Sequence, residues 1–154
     1  MNNSNKIDKP RNPIPTIDVI LTEQSNSNRI LLIKRKNDPL KDYFALPGGF
    51  VDKGERVEDA ARREAEEELS VKVKPIDILG VYSDPNRDPR GRIMSIAFIS
   101  KITSGELKAS DDAADLQWVE MSSLENIKLA FDHFKILSDY KTWLKNRGTY
   151  WSSK

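Results

Sequence analysis

The segment from Gly48 to Val71 carries a dense group of carboxylates, and it constrains this chain more than any other feature. Its charge pattern predicts a helix over about Val57 to Leu69. At about 100° per residue, Glu64 and Glu68 lie within roughly 40° of each other on that helix. Small apolar residues share this arc, namely Val57, Ala60 and Ala61. Two acids therefore point toward the body of the protein.

These inward-facing glutamates, flanked by Glu67, have the character of a metal site. Carboxylates that converge in a partly dehydrated place repel one another unless a cation lies among them. Oxygen ligands grouped in this way suit Mg²⁺ or Mn²⁺. The other charges of the helix point elsewhere and are typical of a solvated face. The sequence thus predicts an acidic metal site on a helix.

The same segment resembles the Nudix box, whose pattern is G-x5-E-x7-R-E-U-x-E-E-x-G-U with U an aliphatic residue. The matching residues are Gly49, Glu55, Arg63, Glu64, Glu67, Glu68 and Val71. Two positions depart from the pattern, because Ala65 replaces a bulkier aliphatic residue and Ser70 replaces the final glycine. The resemblance implies an α/β fold, a Nudix α/β/α sandwich with a mixed β-sheet between helical layers. It also implies a hydrolase acting on nucleoside diphosphate derivatives.

The resemblance assigns roles to the matched residues. Glu64, Glu67 and Glu68 would bind divalent metal, with Mg²⁺ expected and Mn²⁺ as an alternative, and Gly49 would contribute its carbonyl oxygen. Glu55 would support the site, and Arg63 would hold the carboxylates by ion pairing. The chemistry fits a diphosphate substrate, because metal ions neutralise phosphate oxygens and activate water for attack.

Composition agrees with a single enzyme domain. The 25 basic and 24 acidic residues nearly cancel, so no global field recruits nucleic acid. The lack of cysteine excludes disulfides and thiolate metal sites, and one histidine excludes a histidine cluster. We find no apolar stretch long enough to span a bilayer and no signal-peptide core, so we expect a cytoplasmic protein without membrane partners.

The order of patterns predicts three regions: a polar arm over residues 1–15, a single domain over 16–147 and a tail over 148–154. Alternating and β-branched runs predict strands over Thr16–Thr22, Arg29–Arg35, Lys72–Val81, Ile93–Ile102 and Asp115–Glu120. A C-terminal helix is predicted from about Leu124 to Lys145. Its apolar side would consist of Ala130, Phe134, Leu137 and Leu144.

A second resemblance concerns the substrate. The run from Val81 to Phe98 is similar to the corresponding loop of ADP-ribose pyrophosphatases, with Pro85 as the expected proline and Pro89 as the second choice. Phe44–Pro47 and Leu129–His133 also resemble that subgroup. It implies hydrolysis of ADP-ribose to AMP and ribose 5-phosphate by a homodimer. The alternatives are NADH, a dinucleoside polyphosphate or an oxidised nucleoside triphosphate as substrate, or a non-catalytic ADP-ribose sensor.

Arginines of this loop are candidates for phosphate binding, because a guanidinium forms charge-assisted bonds with phosphate oxygens. They are Arg87, Arg90 and Arg92. The alternative is a charged surface turn with internal Asp–Arg pairs. Lys34 and Arg35 are a further option, although charges at a strand end are commonly just solvated.

The remaining substrate contacts are also predicted from residue type. Ser83 or Asp84 would accept hydrogen bonds from ribose hydroxyls, and Tyr82 or Phe44 would stack on adenine.

The general base has several candidates. Family members use either a box glutamate, here Glu67 or Glu68, or an acid on a separate loop. Asp111 and Asp112 lie on such a predicted loop, and Glu120 is a third possibility. The alternative for Asp111 and Asp112 is an ordinary polar turn. His133 is predicted to pack or to form a hydrogen bond rather than to catalyse.

Overall fold

A computed structural model describes residues 13–111 and 113–154. Eight strands, two α-helices and one 3-10 helix follow one another within these ranges: β1 (Ile14–Leu21), β2 (Arg29–Arg35), β3 (Phe44–Ala45), β4 (Gly48–Phe50), α1 (Val57–Leu69), β5 (Val71–Tyr82), β6 (Ile93–Gly105), β7 (Ala113–Glu120), the 3-10 helix (Met121–Asn126), α2 (His133–Asn146) and β8 (Tyr150–Trp151). Most of the predicted arm, and Asp112, lie outside the described residues. No helix in these ranges is long and apolar enough to cross a membrane.

The strands form two sheets. One has five strands in the order β4-β1-β6-β5-β8, and the other has three in the order β3-β2-β7. In the larger sheet β1 runs parallel to β6 while β5 runs antiparallel to it, which makes that sheet mixed. The smaller sheet is antiparallel throughout. The predicted mixed sheet is therefore present, with the addition of a separate antiparallel sheet.

The layering follows from the alternation of side chains along β1. Ile17, Val19 and Leu21 pack in one buried cluster that includes the apolar face of α1. Ile20, on the opposite side of the strand, packs in a second cluster that includes α2 residues such as Ile136. Because successive side chains of a strand point to opposite faces, the two helices lie on opposite sides of β1. This arrangement confirms the predicted α/β/α sandwich.

Helix α1 has the predicted bounds, and its buried side consists of Ala60, Ala61, Ala65 and Leu69. The helix ends at Ser70, which adopts a left-handed conformation with φ 61° and donates its N–H to the carbonyl oxygen of Glu66. Glycine is the usual residue at such an end because it reaches positive φ without strain. Serine takes the same conformation here, so the departure at this position leaves the helix end intact.

The predicted C-terminal helix from Leu124 is wrong, because α2 begins only at His133. The backbone before α2 forms hydrogen bonds with β3 instead. The N–H of Phe44 donates to the carbonyl oxygen of Lys128, and the N–H of Ala130 donates to the carbonyl oxygen of Phe44. Groups used in this way are not available for helical hydrogen bonds. The predicted apolar side is also wrong at Phe134, which is 46% exposed.

Candidate metal and phosphate site

A cleft opens beside the last turn of α1, where both sheets approach the loop between β5 and β6. Its walls come from β1, β2, β4, this loop and the start of α2. The lining side chains that matter for chemistry are Asp18, Arg35, Glu68, Arg87, Arg90 and His133. Acidic and basic groups thus face one another across a partly enclosed space.

Glu68 is the acid of α1 that faces this cleft. Its Oε2 accepts a hydrogen bond from the backbone N–H of Gly48 at 3.0 Å. Burial raises the pKa of Glu68 to about 8, and the nearby carboxylates of Glu64 and Asp18 act in the same direction. The charged form of this carboxylate is therefore poorly compensated, and a bound cation would stabilise it.

Arg63 holds two further acids of α1, Glu64 and Glu67, together with Glu55 from the preceding loop. Its Nε and Nη2 donate to the two carboxylate oxygens of Glu55 at 2.8 and 3.0 Å. Its Nη1 donates to Glu64 at 2.8 Å and to Glu67 at 3.1 Å, and its Nη2 also donates to the carbonyl oxygen of Phe50 at 2.9 Å. The hydrogen bonds that Arg63 donates to Glu55, followed by the one it donates to Glu64, raise the pKa of Arg63. One guanidinium thus joins three glutamates to β4.

Gly49 lies directly against the Glu64 carboxylate. A Cβ atom added at Gly49 would approach Glu64 Oε1 to 2.3 Å, so only glycine leaves room for this carboxylate. Burial raises the pKa of Glu64, although the ion pair with Arg63 opposes the change. The glycine of the motif therefore has a direct steric role beside one of the predicted metal ligands.

The donors fit a divalent cation in their chemistry. Carboxylates and a backbone carbonyl are oxygen ligands of the kind that Mg²⁺ and Mn²⁺ prefer. Within the described ranges, however, no three histidine, aspartate or glutamate side chains are grouped closely enough to hold an ion. Glu64 and Glu67 face Arg63, whereas Glu68 faces the cleft. The structure therefore brings the predicted ligands onto one helix surface without converging all three carboxylates on one point.

A buried polar network forms the floor of the cleft. The N–H of Leu46 donates to His133 Nδ1 at 3.0 Å, which leaves the Nε2 proton of His133 directed at Asp18 Oδ1, 3.3 Å away. Asp18 also accepts a hydrogen bond from Ser95. Burial alone would raise the pKa of Asp18, but the interactions with His133, Ser95 and Arg87 outweigh it, and the pKa lies below its ordinary value. The predicted hydrogen-bonding role of His133 is confirmed.

Replacing Asp18 with alanine should lower the free energy of unfolding by about 3 kcal/mol at pH 7, because it leaves the buried partners unpaired. A depressed pKa contributes stability above the ordinary value of 3.8. That contribution is lost as the pH falls through the lower folded-state pKa. The difference in the free energy of unfolding between wild type and variant should therefore become smaller below about pH 4. Urea unfolding at several pH values measures it, and Asp77→Ala on the surface of β5 is the control. Equal effects of the two variants would contradict this account.

Two arginines share one aromatic ring at the mouth of the cleft. The guanidinium carbon of Arg35 lies 5.0 Å from the centre of the Phe131 ring, and that of Arg90 lies 5.2 Å from it. Arg90 also lies 5.1 Å from the ring centre of Phe50 and forms an ion pair with Asp88 at 2.7 Å. Burial lowers the pKa of Arg35, and repulsion from Arg90 adds to the effect. These neighbouring cations favour an anionic ligand between them.

The loop arginines have different environments. Arg87 is buried and makes two hydrogen bonds to Asp132, at 2.6 and 2.9 Å, so its charge is already paired. Arg90 also lines the cleft and is paired with Asp88, but it is more exposed than Arg87. Arg92 is exposed and lines a separate shallow depression. Residue type alone predicted the same phosphate-binding role for all three arginines. Arg35, which it offered only as a further option, is placed in the cleft.

The other predicted substrate contacts need correction. Tyr82 is fully buried and donates its hydroxyl to Asp139 at 2.9 Å, so its ring is not available to adenine. Phe44 packs beside the second core cluster and does not line the cleft. Ser83 and Asp84 line depressions on the outer side of the loop. The predicted stacking by Tyr82 is thus wrong, and the predicted contacts Phe44, Ser83 and Asp84 do not line the cleft.

The candidate bases occupy two ends of the molecule. Asp111 is exposed in a turn that is anchored to α1, because the N–H of Ser110 donates to the carbonyl oxygen of Glu68. Glu120 pairs with Arg29 at the end of β7 opposite to Arg35, so it lies far from the cleft along the strand. Asp112 lies outside the described residues.

Comparison with known proteins places the chain in a family. Residues 12–140 match the model of the NUDIX domain. The sequence is 51% identical over 131 residues to a protein named ADP-ribose pyrophosphatase from Methanocaldococcus jannaschii, covering 85% of this chain and 75% of that protein. It is 30% identical over 152 residues to the ADPR responsive transcriptional repressor NtrR from Acinetobacter baylyi, covering 94% of this chain and 59% of that protein.

A solved structure agrees with the sequence relatives. The bifunctional NMN adenylyltransferase/ADP ribose pyrophosphatase from Francisella tularensis, crystallised with AMP and a manganese ion, superimposes with a TM-score of 0.70 at 28% identity. The match covers 89% of this chain and 42% of that protein. Together with the motif on α1 and the sandwich fold, these similarities show that the chain belongs to the Nudix family.

Proposed function

We propose that this chain hydrolyses the diphosphate bond of ADP-ribose to give AMP and ribose 5-phosphate. The observation that carries the proposal is the similarity to the ADP-ribose pyrophosphatase of M. jannaschii, which extends over 85% of the chain. The structural relative from F. tularensis holds AMP, which agrees with AMP as a product. Measuring both products after incubation with ADP-ribose tests the proposal.

Nudix hydrolases require divalent metal ions, and we propose Mg²⁺, with Mn²⁺ as an alternative, for this chain. Glu64, Glu67, Glu68 and the carbonyl oxygen of Gly49 would hold it. When bound, the metal neutralises phosphate oxygens and makes water more acidic. The protein's own part is to fix these ligands, which Arg63 does through Glu64 and Glu67. Glu55 in turn fixes Arg63 with a two-point ion pair.

The diphosphate would lie between the acidic and the basic walls of the cleft. Arg35 and Arg90 both stack on Phe131 and repel each other, so an anion that bridges them is favoured. Glu68 lines the same cleft as these guanidinium groups. A substrate held by the arginines would therefore present its phosphorus atoms to the metal-binding helix. This positioning accounts for catalysis by orientation rather than by covalent chemistry.

Replacing Arg35 with glutamine should raise the KM for ADP-ribose about tenfold, because a charge-assisted bond to phosphate is worth roughly 1.5–3 kcal/mol. The effect on kcat should be smaller if the bond is made equally in the ground state and the transition state. Steady-state kinetics measures both constants. Lys34→Gln is the matched control, since Lys34 is adjacent on β2 but does not line the cleft. Equal KM values for the two variants would exclude Arg35 from substrate binding.

For the general base we retain Glu67, Glu68, Asp111 and Asp112 as candidates. The turn that contains Asp111 is tied to the end of α1 through Ser110 and Glu68, so a carboxylate there stays near the metal ligands. Lys36 donates to the carbonyl oxygen of Asp111 at 2.8 Å and anchors the turn from its other side. A loop acid in this place could accept the proton of the attacking water.

A second candidate function is ADP-ribose sensing without hydrolysis. It is favoured by the similarity to the A. baylyi repressor over 94% of this chain, although the chain spans only 59% of that protein. Retention of all motif acids favours catalysis instead. Calorimetry with ADP-ribose and Mg²⁺ separates the two, because a sensor binds without releasing AMP. NADH, a dinucleoside polyphosphate and an oxidised nucleoside triphosphate belong in the same panel as rival substrates.

We also propose that the enzyme is a cytoplasmic homodimer. Exposed apolar side chains along β5 and β8 support a contact between two copies: Ile76, Ile78, Val81 and Trp151. Strand edges with such side chains favour association. Sedimentation velocity at micromolar concentration tests the dimer, and a single monomeric species would exclude it.

A further inference from the structure

The residues after α2 return to the larger sheet and end beside the loop of the cleft. Strand β8 pairs in parallel with β5, with Gly80 opposite Tyr150 and Val81 opposite Trp151. A Cβ atom added at Gly80 would come within 2.1 Å of the carbonyl oxygen of Tyr150, so glycine permits this close approach. The segment from Tyr150 to Lys154, which we name the strap, is thereby fixed next to the point where β5 ends.

Ser152 of the strap binds the first two residues of the loop. Its Oγ accepts the backbone N–H of Ser83 at 2.8 Å and the backbone N–H of Asp84 at 3.1 Å. Both N–H groups follow directly after β5, where the ladder no longer supplies partners. The Ser152 hydroxyl thus serves as the acceptor that a neighbouring strand would otherwise supply at the start of the 83–92 loop.

A partly buried network holds the other end of the strap. Lys135 of α2 donates to the carbonyl oxygen of Lys154 at 2.7 Å and to both oxygens of Asp139 at 2.7 and 2.8 Å. Asp139 in turn accepts the hydroxyl hydrogen of Tyr82, the last residue of β5. The strap and the strand end are therefore joined to the same helix through Lys135 and Asp139.

The start of the loop controls the position of its arginines. The carbonyl oxygen of Asp84 accepts the N–H of Arg87 at 3.1 Å, and its side chain accepts the N–H of Asn86 at 2.8 Å. Arg87 lies against Asp132 in the cleft wall, and Arg90 follows three residues later beside Phe131. A displacement of Asp84 would therefore be passed through this short turn to the cationic wall.

We propose that the strap is a positioning element for the reaction and that Ser152 is its positioning residue. Ser152 touches neither the cleft nor its acids, and it acts through the backbone of Ser83 and Asp84 on Arg87 and Arg90. The inference rests on the proposed function, since it concerns how the loop presents cations to a diphosphate. The strap thereby has a role in the reaction, although the sequence predicts only a tail over residues 148–154.

Ser152→Ala tests this role. The variant should raise the KM for ADP-ribose about five- to tenfold while kcat stays within about twofold, because two N–H groups lose their acceptor and the loop arginines are held less firmly. Ser152→Thr keeps the hydroxyl and should restore the wild-type KM. Ser153→Ala, on the neighbouring exposed residue, should change neither constant. A KM for Ser152→Ala equal to that of wild type or of Ser153→Ala would overturn the proposal.

Amide hydrogen exchange gives a readout that does not depend on substrate. In Ser152→Ala the amides of Ser83, Asp84 and Arg87 should exchange at least several-fold faster than in wild type, whereas those of α1 should not change. If wild type does not hydrolyse ADP-ribose, the proposed function fails, and amide exchange alone then tests whether the strap positions the loop. Faster exchange of the Arg87 amide in Ser152→Ala supports the positioning role, and unchanged exchange overturns it. A double-mutant cycle with Arg90→Gln should be non-additive, and additive effects on KM would count against coupling through the loop.

Discussion

Glu68→Gln should lower kcat/KM for ADP-ribose by about 10³-fold in the presence of Mg²⁺, because a lost metal ligand removes several kcal/mol of stabilisation from the transition state. Glu68 faces the cleft and accepts the Gly48 N–H, and burial already raises its pKa to about 8. The neutral glutamine should therefore be accommodated without loss of stability. Steady-state kinetics and thermal unfolding of the same preparations measure the two effects separately.

Glu66→Gln is the matched control for this substitution. Glu66 lies on the exposed side of α1, two positions from Glu68, and makes no side-chain hydrogen bond within the described residues. It should retain activity within about twofold of wild type, as solvated surface charges usually contribute little. If Glu68→Gln kept near wild-type turnover, the assignment of the metal-binding helix surface would be wrong.

Gly49→Ala should lower kcat/KM by about 10²-fold while the protein remains folded. The added Cβ would lie 2.3 Å from Glu64 Oε1, and this carboxylate is the flexible end of a side chain, so it can move aside. Its displacement removes Glu64 from the position in which it would bind metal, a loss comparable to that of other ligand-orienting groups. Kinetics at several Mg²⁺ concentrations should show a higher metal requirement for the variant.

Gly48→Ala provides the contrast, because its Cβ would lie 2.1 Å from the backbone carbonyl oxygen of Ile17. Backbone of the sheet cannot move aside as a side chain does, so this variant should lose stability, by about 2 kcal/mol or more. The two alanine variants should thus differ in their defects: Gly49→Ala should need more Mg²⁺ for activity, and Gly48→Ala should have a lower free energy of unfolding. Wild-type kinetics for Gly49→Ala would contradict the role of Glu64 in the site.

Local patterns predicted the first helix well and the last one badly. The bounds of α1 follow from small apolar residues at helical spacing, which is information contained within the segment itself. The start of α2 depends on Phe44, which pairs with the backbone of Lys128 and Ala130 from more than 80 positions away. Such a long-range backbone pairing has no local signal, and helical periodicity extended the helix across it.

In the candidate site, too, features set by local sequence were predictable and features set by distant residues were not. The acids of α1 were predictable because their angular positions depend only on the helix. Whether Arg87 or Arg35 faces a ligand depends on Asp132 and Phe131, which belong to distant parts of the chain. Tyr82 was misjudged because irregular pairing along β5, with a register shift between Ile78 and Gly80, interrupts the alternation that leaves Lys72 and Lys74 exposed, and so turns Tyr82 inside.

The most direct test of the central claim is chromatography of the products formed from ADP-ribose by the purified protein with Mg²⁺. We expect equal amounts of AMP and ribose 5-phosphate, no products after addition of a chelator, and recovery when Mg²⁺ is restored in excess. Adding Mn²⁺ in its place compares the two metals. Absence of AMP from ADP-ribose, with cleavage of another nucleoside diphosphate derivative in a parallel sample, would contradict the proposed substrate, and turnover that persists with the chelator would contradict the metal site.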